Sequence, residues 1–292
     1  MKQGIFLLLI AMTLTPGVDA LAKIMGQSHA PFQVAFLRFL AAGTVALVAA
    51  RLAGISVRVP RSGWFGQVIR TALLAAATTC LVFALTLVPL AYAAGGFLIA
   101  PIVSTLLGVI FLGEMLTLQR VLGAGLAFAG AVIITDPAVS LQIGSIFALV
   151  GGTFLGIYLV ATRCARNPGH PLATLAVQCL LGAAMIAPFA LIDGLPVVTT
   201  ETGFLTLGLG ILAATTHVLT VAAYERADTT VLAPFLYFNL LVAVILGLVV
   251  FGEMPSGVAM IGLAAIAGGG ILSATTTLNG QRPIWARTAA VR

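Results

Sequence analysis

Charge is what this sequence has least of. Charged residues make up 8% of the 292 positions, against 61% hydrophobic. A water-soluble domain carries roughly a quarter charged residues. So few charges cannot cover a solvated surface, which excludes a soluble enzyme or binding module and makes lipid the natural surroundings. Cysteine is also scarce. Cys80, Cys164 and Cys179 follow neither metal-ligand nor disulfide spacing and read as small apolar filler. No phosphate-binding glycine loop, metal-ligand cluster or nucleophile elbow occurs, so the expectation is no cofactor, no built-in ATPase and no enzyme. Period-two alternation is absent from the apolar runs, which argues against a β-barrel. The net charge of +6 is no nucleic-acid footprint, because the basic residues sit mostly in short gaps between apolar runs.

What is abundant is long apolar runs and 32 glycines. A helix needs about 20 apolar residues to cross a bilayer, and small residues let membrane helices approach closely. Ten spans are expected: Gly4–Ile24, Pro31–Ala53, Gln67–Val88, Ala91–Leu112, Gln119–Thr135, Leu141–Thr162, Pro171–Ile192, Thr202–Tyr224, Thr230–Phe251 and Gly257–Thr277. Spans 3 and 4 come from one charge-free run, Thr71 to Leu112, divided at Pro89. Lys2, the apolar run to Leu14 and Ala20-Leu21-Ala22 resemble a cleavable leader. The repeat described next needs this first helix, so it reads as retained.

Basic residues set the expected orientation. With the N-terminus inside, Lys2, Arg51, Arg58, Arg61, Arg70, Arg120, Arg163, Arg166, Arg226, Arg282, Arg287 and Arg292 all fall on the cytoplasmic side. The outer loops hold Asp136, Asp193, Glu201 and Glu253 and no arginine. This reading gives an inner-membrane protein with both termini cytoplasmic.

The tripeptide Gly113-Glu114-Met115 recurs 139 residues later as Gly252-Glu253-Met254. Gly4 and Gly144, Lys23 and Arg163, and Pro31 and Pro171 match at an offset of 140. The chain therefore divides into a five-helix unit over 1–140, a second over 141–277 and a polar tail over 278–292. Five is odd, so the second unit enters the membrane inverted, a common plan of secondary transporters with the site near the midplane between repeats.

Phe83-Ala84-Leu85, Pro89, Ala91, Pro101 and Gly113-Glu114, echoed by Ala233-Pro234 and Phe251-Gly252-Glu253, resemble the drug/metabolite transporter superfamily over nearly the whole chain. Within its ten-helix branch the sequence is most similar to the aromatic amino acid exporter type. The resemblance implies a central cavity framed by spans 1, 3, 4, 6, 8 and 9, and a small organic solute as partner beside the lipid bilayer. Export of aromatic or other apolar amino acids is the first expectation. Uptake of a vitamin or metabolite, or efflux of a cationic drug, is the alternative. An intramembrane enzyme would need a His, Asp or Glu cluster at one depth, and a channel a continuous polar path; neither pattern is present. Oligomeric state is not encoded legibly.

Intramembrane charges are costly and are therefore functional candidates. Asp19 and Lys23, four apart on one helix face, can pair, and Arg38 lies seven residues into span 2. His217, well inside span 8, can titrate near neutral pH or simply bond a neighbouring helix. Thr15, Thr79, Thr153 and Asn239 belong to a ring of hydroxyls and an amide at mid-depth. Each can hold a solute or satisfy its own backbone. Phe83, Phe97, Tyr158 and Phe238 suit an apolar or aromatic side chain. Together with Asp19 and His217 these form the expected solute-binding set. Glu114 and Glu253 read as structural, with Thr117 and Ser256 capping the helices that follow. Gly123, Ala127 and Ala131, and Ala265, Gly269 and Ser273, form four-residue stripes for close packing or a dimer seam.

Overall fold

A computed structural model describes residues 2–57, 63–112, 118–135, 143–164, 170–192, 194–197, 199–224, 226, 232–254 and 256–278. All regular structure among them is helical: α1 (Lys2–Met25), α2 (Pro31–Leu52), α3 (Trp64–Leu87), α4 (Leu90–Phe97), α5 (Ala100–Leu112), α6 (Leu118–Thr135), α7 (Ile143–Cys164), α8 (Pro171–Ala190), α9 (Thr200–Tyr224), a 3-10 turn (Ala233–Tyr237), α10 (Phe238–Phe251) and α11 (Gly257–Leu278). Ten spans result, with α4 and α5 sharing span 4, and the 3-10 turn and α10 sharing span 9. Seven stretches of described residues are long and apolar enough to cross a membrane, and three shorter apolar helices accompany them.

Local chemistry explains the starts. Pro31 and Pro171 occupy the first helical turn of α2 and α8, where the missing N–H costs nothing. Gln33 reaches back to accept the Ala30 N–H at 3.2 Å. His170 Nδ1 accepts from the Leu172 N–H at 3.3 Å. Ser256 caps α11 as expected, its hydroxyl accepting the Ala259 N–H at 3.1 Å.

Spans 4 and 9 were expected to be continuous and are not. Gly95-Gly96 and Pro101 flank a break at 98–99, where Ile99 donates to Gly96 C=O in a tightened turn at 3.3 Å. Pro234 sits in the 3-10 turn that opens span 9. Glycine and proline weaken the regular ladder. The two interrupted spans occupy equivalent places in the two halves and pack on one another.

The packing pattern carries the repeat. Span 1 lies along span 8, and span 3 along span 6. Exchanging the halves turns the first pair into the second. Spans 2 and 7 pair, as do 5 and 10, and each of these pairs maps onto itself. The 5/10 contact is the glycine stripe. A methyl on Gly269 would collide with the Gly123 carbonyl and sit 2.7 Å from the Ala127 nitrogen. One on Gly130 would sit 2.5 Å from the Gly262 carbonyl. The stripe is therefore used within the chain. Ala131 and Ser273 lie outside the described side chains.

Candidate functional site

At the end of the bundle remote from residue 2, three segments meet on one ion pair. Helix α10 ends with Gly252 at φ 67, a left-handed position that favours glycine. There the N–H of Gly252 bonds Leu248 C=O and that of Glu253 bonds Gly247 C=O, a left-handed (αL) termination that turns Glu253 back over the bundle. Glu253 Oε1 meets Lys23 Nζ of α1 at 2.6 Å. Glu253 Oε2 accepts the Leu90 N–H at 2.8 Å, an orphan donor at the start of α4 where a carboxylate is favoured. Pro89 has no N–H to offer, and the neighbouring Val88 carbonyl accepts from Lys23 Nζ at 2.9 Å. The Lys23 ammonium also lies 5.2 Å from the centre of the Phe251 ring. One lysine and one glutamate thus satisfy the broken backbone between spans 3 and 4 and join the two halves.

The expected pairing of Asp19 with Lys23 is corrected by this geometry. Asp19 instead accepts from Arg38 Nη1 of α2 at 3.0 Å, both side chains being largely buried. Intrahelical spacing allows either pairing, and tertiary packing brings closer partners to both residues. Glu253 likewise does more than fix the connection between the last two spans of its half. Its repeat mate Glu114, like Thr117, lies outside the described residues.

The remaining expected solute-binding residues fall into several different settings. Thr15 and Thr153 donate to their own helices, at Ala11 C=O (2.7 Å) and Leu149 C=O (2.9 Å). Thr79 and His217 are half-buried. Phe97, Phe238 and Asn239 gather at the interruptions of spans 4 and 9. Phe97 ends α4, close against α7: a methyl on Gly152 would lie 2.5 Å from the Phe97 carbonyl oxygen. Phe238 opens α10 and is 37% exposed. Asn239 beside it has a buried Oδ1 with no hydrogen-bond partner. Phe83 belongs to an aromatic run, stacked on Phe147 (4.9 Å between centroids) and edge-on to Phe32 (5.2 Å), which stacks on Phe189 (5.5 Å). Tyr158 is buried and donates to Gln178 Oε1 of α8 at 3.2 Å.

One residue passed over by the sequence reading stands out. Arg70 counted there only as an orientation signal, yet it is 5% exposed and its Nε has no hydrogen-bond partner. The neighbouring Gln67 accepts from its Nη2. The expected span 3 already contained Arg70, but no sequence signal separates a buried arginine near a span's end from one that reaches to water. A separate cleft of about 370 Å³ lies between α2 and α9, lined by Leu37, Ala41, Thr44, Thr202 and Leu207 among others. It is nearly all apolar and shares none of the residues above.

The sequence profile of the EamA-like transporter family matches residues 2–136 and again 142–275. The chain belongs to that family. It is a multi-pass membrane protein of the drug/metabolite transporter superfamily, a secondary transporter of a small solute, and its family is not one of enzymes. A riboflavin transporter of Brucella anthropi is 29% identical over 206 residues, covering 68% of this chain and 72% of its own. A riboflavin transporter of Vibrio cholerae is 27% identical over 241 residues, covering 80% and 79%. A probable terminal-alkyne amino-acid exporter of Streptantibioticus cattleyicolor is 28% identical over 191 residues, covering 63% and 64%. A solved crystal structure superposes with a TM-score of 0.75 at 24% identity, over 97% of this chain and 100% of the other, which is a likeness of fold.

Proposed function

We propose that this transporter exports amino acids with aromatic or other apolar side chains across the inner membrane by alternating access, driven by a solute or ion gradient. The observation that carries the reading is the exchange-symmetric packing of spans 1 with 8 and 3 with 6. Two halves related in this way can rock between equivalent arrangements about a shared site. In this proposal the repeats are 1–140 and 141–277, the termini and the 278–292 tail are cytoplasmic, and the Lys23–Glu253 end faces outward. The solute lies among Thr15, Asp19, Thr79, Phe83, Phe97, Thr153, Tyr158, His217, Phe238 and Asn239.

A second reading, uptake of riboflavin, is favoured by the names of two of the relatives and by the Phe32–Phe83–Phe147 run, whose stacked rings suit a flat aromatic solute. Liposomes containing only the purified protein separate the two. Radiolabelled phenylalanine, leucine and riboflavin are loaded in turn, with and without a pH gradient. Saturable amino acid efflux supports export. Flux of riboflavin with none of either amino acid removes it in favour of the vitamin.

A further inference from the structure

Arg70 brings a positive charge into packed protein with no carboxylate paired to it among the described residues. Its side chain is 5% exposed and its Nε unpaired, and Nη2 is held by Gln67, itself 2% exposed. Thr71, the next residue, is fully buried with an unpaired hydroxyl. Helix α3 packs on α7, where Tyr158 donates its hydroxyl proton to Gln178 Oε1 of α8 at 3.2 Å. The other carboxylates among the described residues are engaged or remote: Asp19 with Arg38, Glu253 with Lys23, and Glu201 in the first turn of α9.

An uncompensated buried cation is costly, and an arginine serving only as a membrane anchor would extend its head toward water. At 5% exposure Arg70 does not. Its planar fork matches the two oxygens of a carboxylate, and Nε and the Thr71 hydroxyl are donors still lacking acceptors. We propose that Arg70, with Thr71 beside it, binds the carboxylate of the transported solute at the end of span 3 nearer residue 2. This assignment rests on the amino acid reading above and deepens it. It places the charged end of the solute toward the end of the bundle nearer residue 2, away from the Lys23–Glu253 pair.

The test is thermal unfolding of the purified full-length protein with L-phenylalanine, L-phenylalaninamide or benzoate, followed by transport in liposomes. L-phenylalanine and benzoate are expected to raise the wild-type melting temperature, and the amide, which lacks the carboxylate, to leave it unchanged. Arg70→Met is expected to melt higher than wild type without ligand, because the uncompensated charge is gone, and to lose both responses. Its KM for phenylalanine is expected to rise about tenfold or more, with Arg70→Lys intermediate. The lysine variant also decides the matter if the methionine variant does not fold, by a weakened but present response. The proposal is overturned if no anion stabilises the wild type, if the amide stabilises as well as the acid, or if Arg70→Met melts lower and keeps its response to benzoate. If the liposomes move riboflavin and no amino acid, the export reading fails, while the benzoate arm still decides whether Arg70 is an anion site.

Discussion

Lys23 Nζ lies 2.6 Å from Glu253 Oε1, joining the end of the first span to the end of the ninth, one from each half. The same two side chains hold both sides of the Pro89 break. Separation of the two halves at this end therefore requires this pair to part, which makes it a latch.

Breaking the latch is expected to loosen this end. Lys23→Met leaves the Glu253 carboxylate, a side chain 22% exposed, with only the Leu90 N–H. The expected loss is about 2 kcal/mol, near the cost of removing a charged hydrogen-bond partner. Glu253→Gln should cost less than Glu253→Ala, because the amide oxygen can still cap Leu90. A cysteine at position 90, where Leu90 is fully buried, should react faster with a membrane-impermeant maleimide in the Lys23→Met background once the native cysteines are removed. Unchanged reactivity would argue against a latch.

The Asp19–Arg38 pair is more enclosed, at 7% and 17% side-chain exposure. Removing one partner of such a pair leaves a stranded charge, at about 3 kcal/mol. Asp19→Asn alone is expected to lower stability by about that much, and Asp19→Asn with Arg38→Met to recover most of it. A double-mutant cycle on thermal or denaturant unfolding measures the coupling. Additive losses would mean the pair contributes nothing beyond its separate parts.

The glycine stripe predicts a contrast within one helix. Gly130 and Gly125 both lie on α6, but a methyl on Gly130 meets the Gly262 backbone while one on Gly125 meets nothing within 4 Å. Gly130→Ala is expected to destabilise by about 1–3 kcal/mol through overpacking. Gly125→Ala is expected to be neutral or to stabilise by up to about 1 kcal/mol, since it removes freedom from the unfolded chain at no steric cost. Equal effects of the two substitutions would contradict the seam.

These features also mark where the sequence was readable. The spans follow from the length of the apolar runs, the stripes from the spacing of small residues and the Ser256 cap from local capping chemistry, each of which is written in consecutive residues. The self-bonded hydroxyls of Thr15 and Thr153 were open as one of two alternatives for the same reason. Partners were less readable. Asp19 and Lys23 stand one turn apart, yet each finds a closer partner elsewhere in the fold, Arg38 on α2 and Glu253 just past α10, and only the fold chooses among ion pairs of similar intrinsic strength. Arg70 was placed in span 3, where the structure has it, but hydropathy does not tell an arginine packed among its neighbours from one that reaches to water. The interruption of span 9 was hinted at by Pro234, though a single proline does not say whether a helix kinks or begins late.

Asn239 offers the sharpest separation of binding from stability. It stands at the start of α10, beside the break in span 9, and its Oδ1 is buried without a hydrogen-bond partner. Such a group costs about 1–3 kcal/mol relative to a satisfied one, and a membrane offers no water to compensate. A leucine at this position removes the unsatisfied oxygen at similar volume, so Asn239→Leu is expected to raise the melting temperature. If the carboxamide is kept for the solute, the same substitution is expected to weaken transport by about tenfold in KM, with Asn239→Gln recovering part of it. Transport at the wild-type level together with the higher melting temperature would remove Asn239 from the solute site. A lower melting temperature with normal KM would assign it a structural bond to a neighbouring helix.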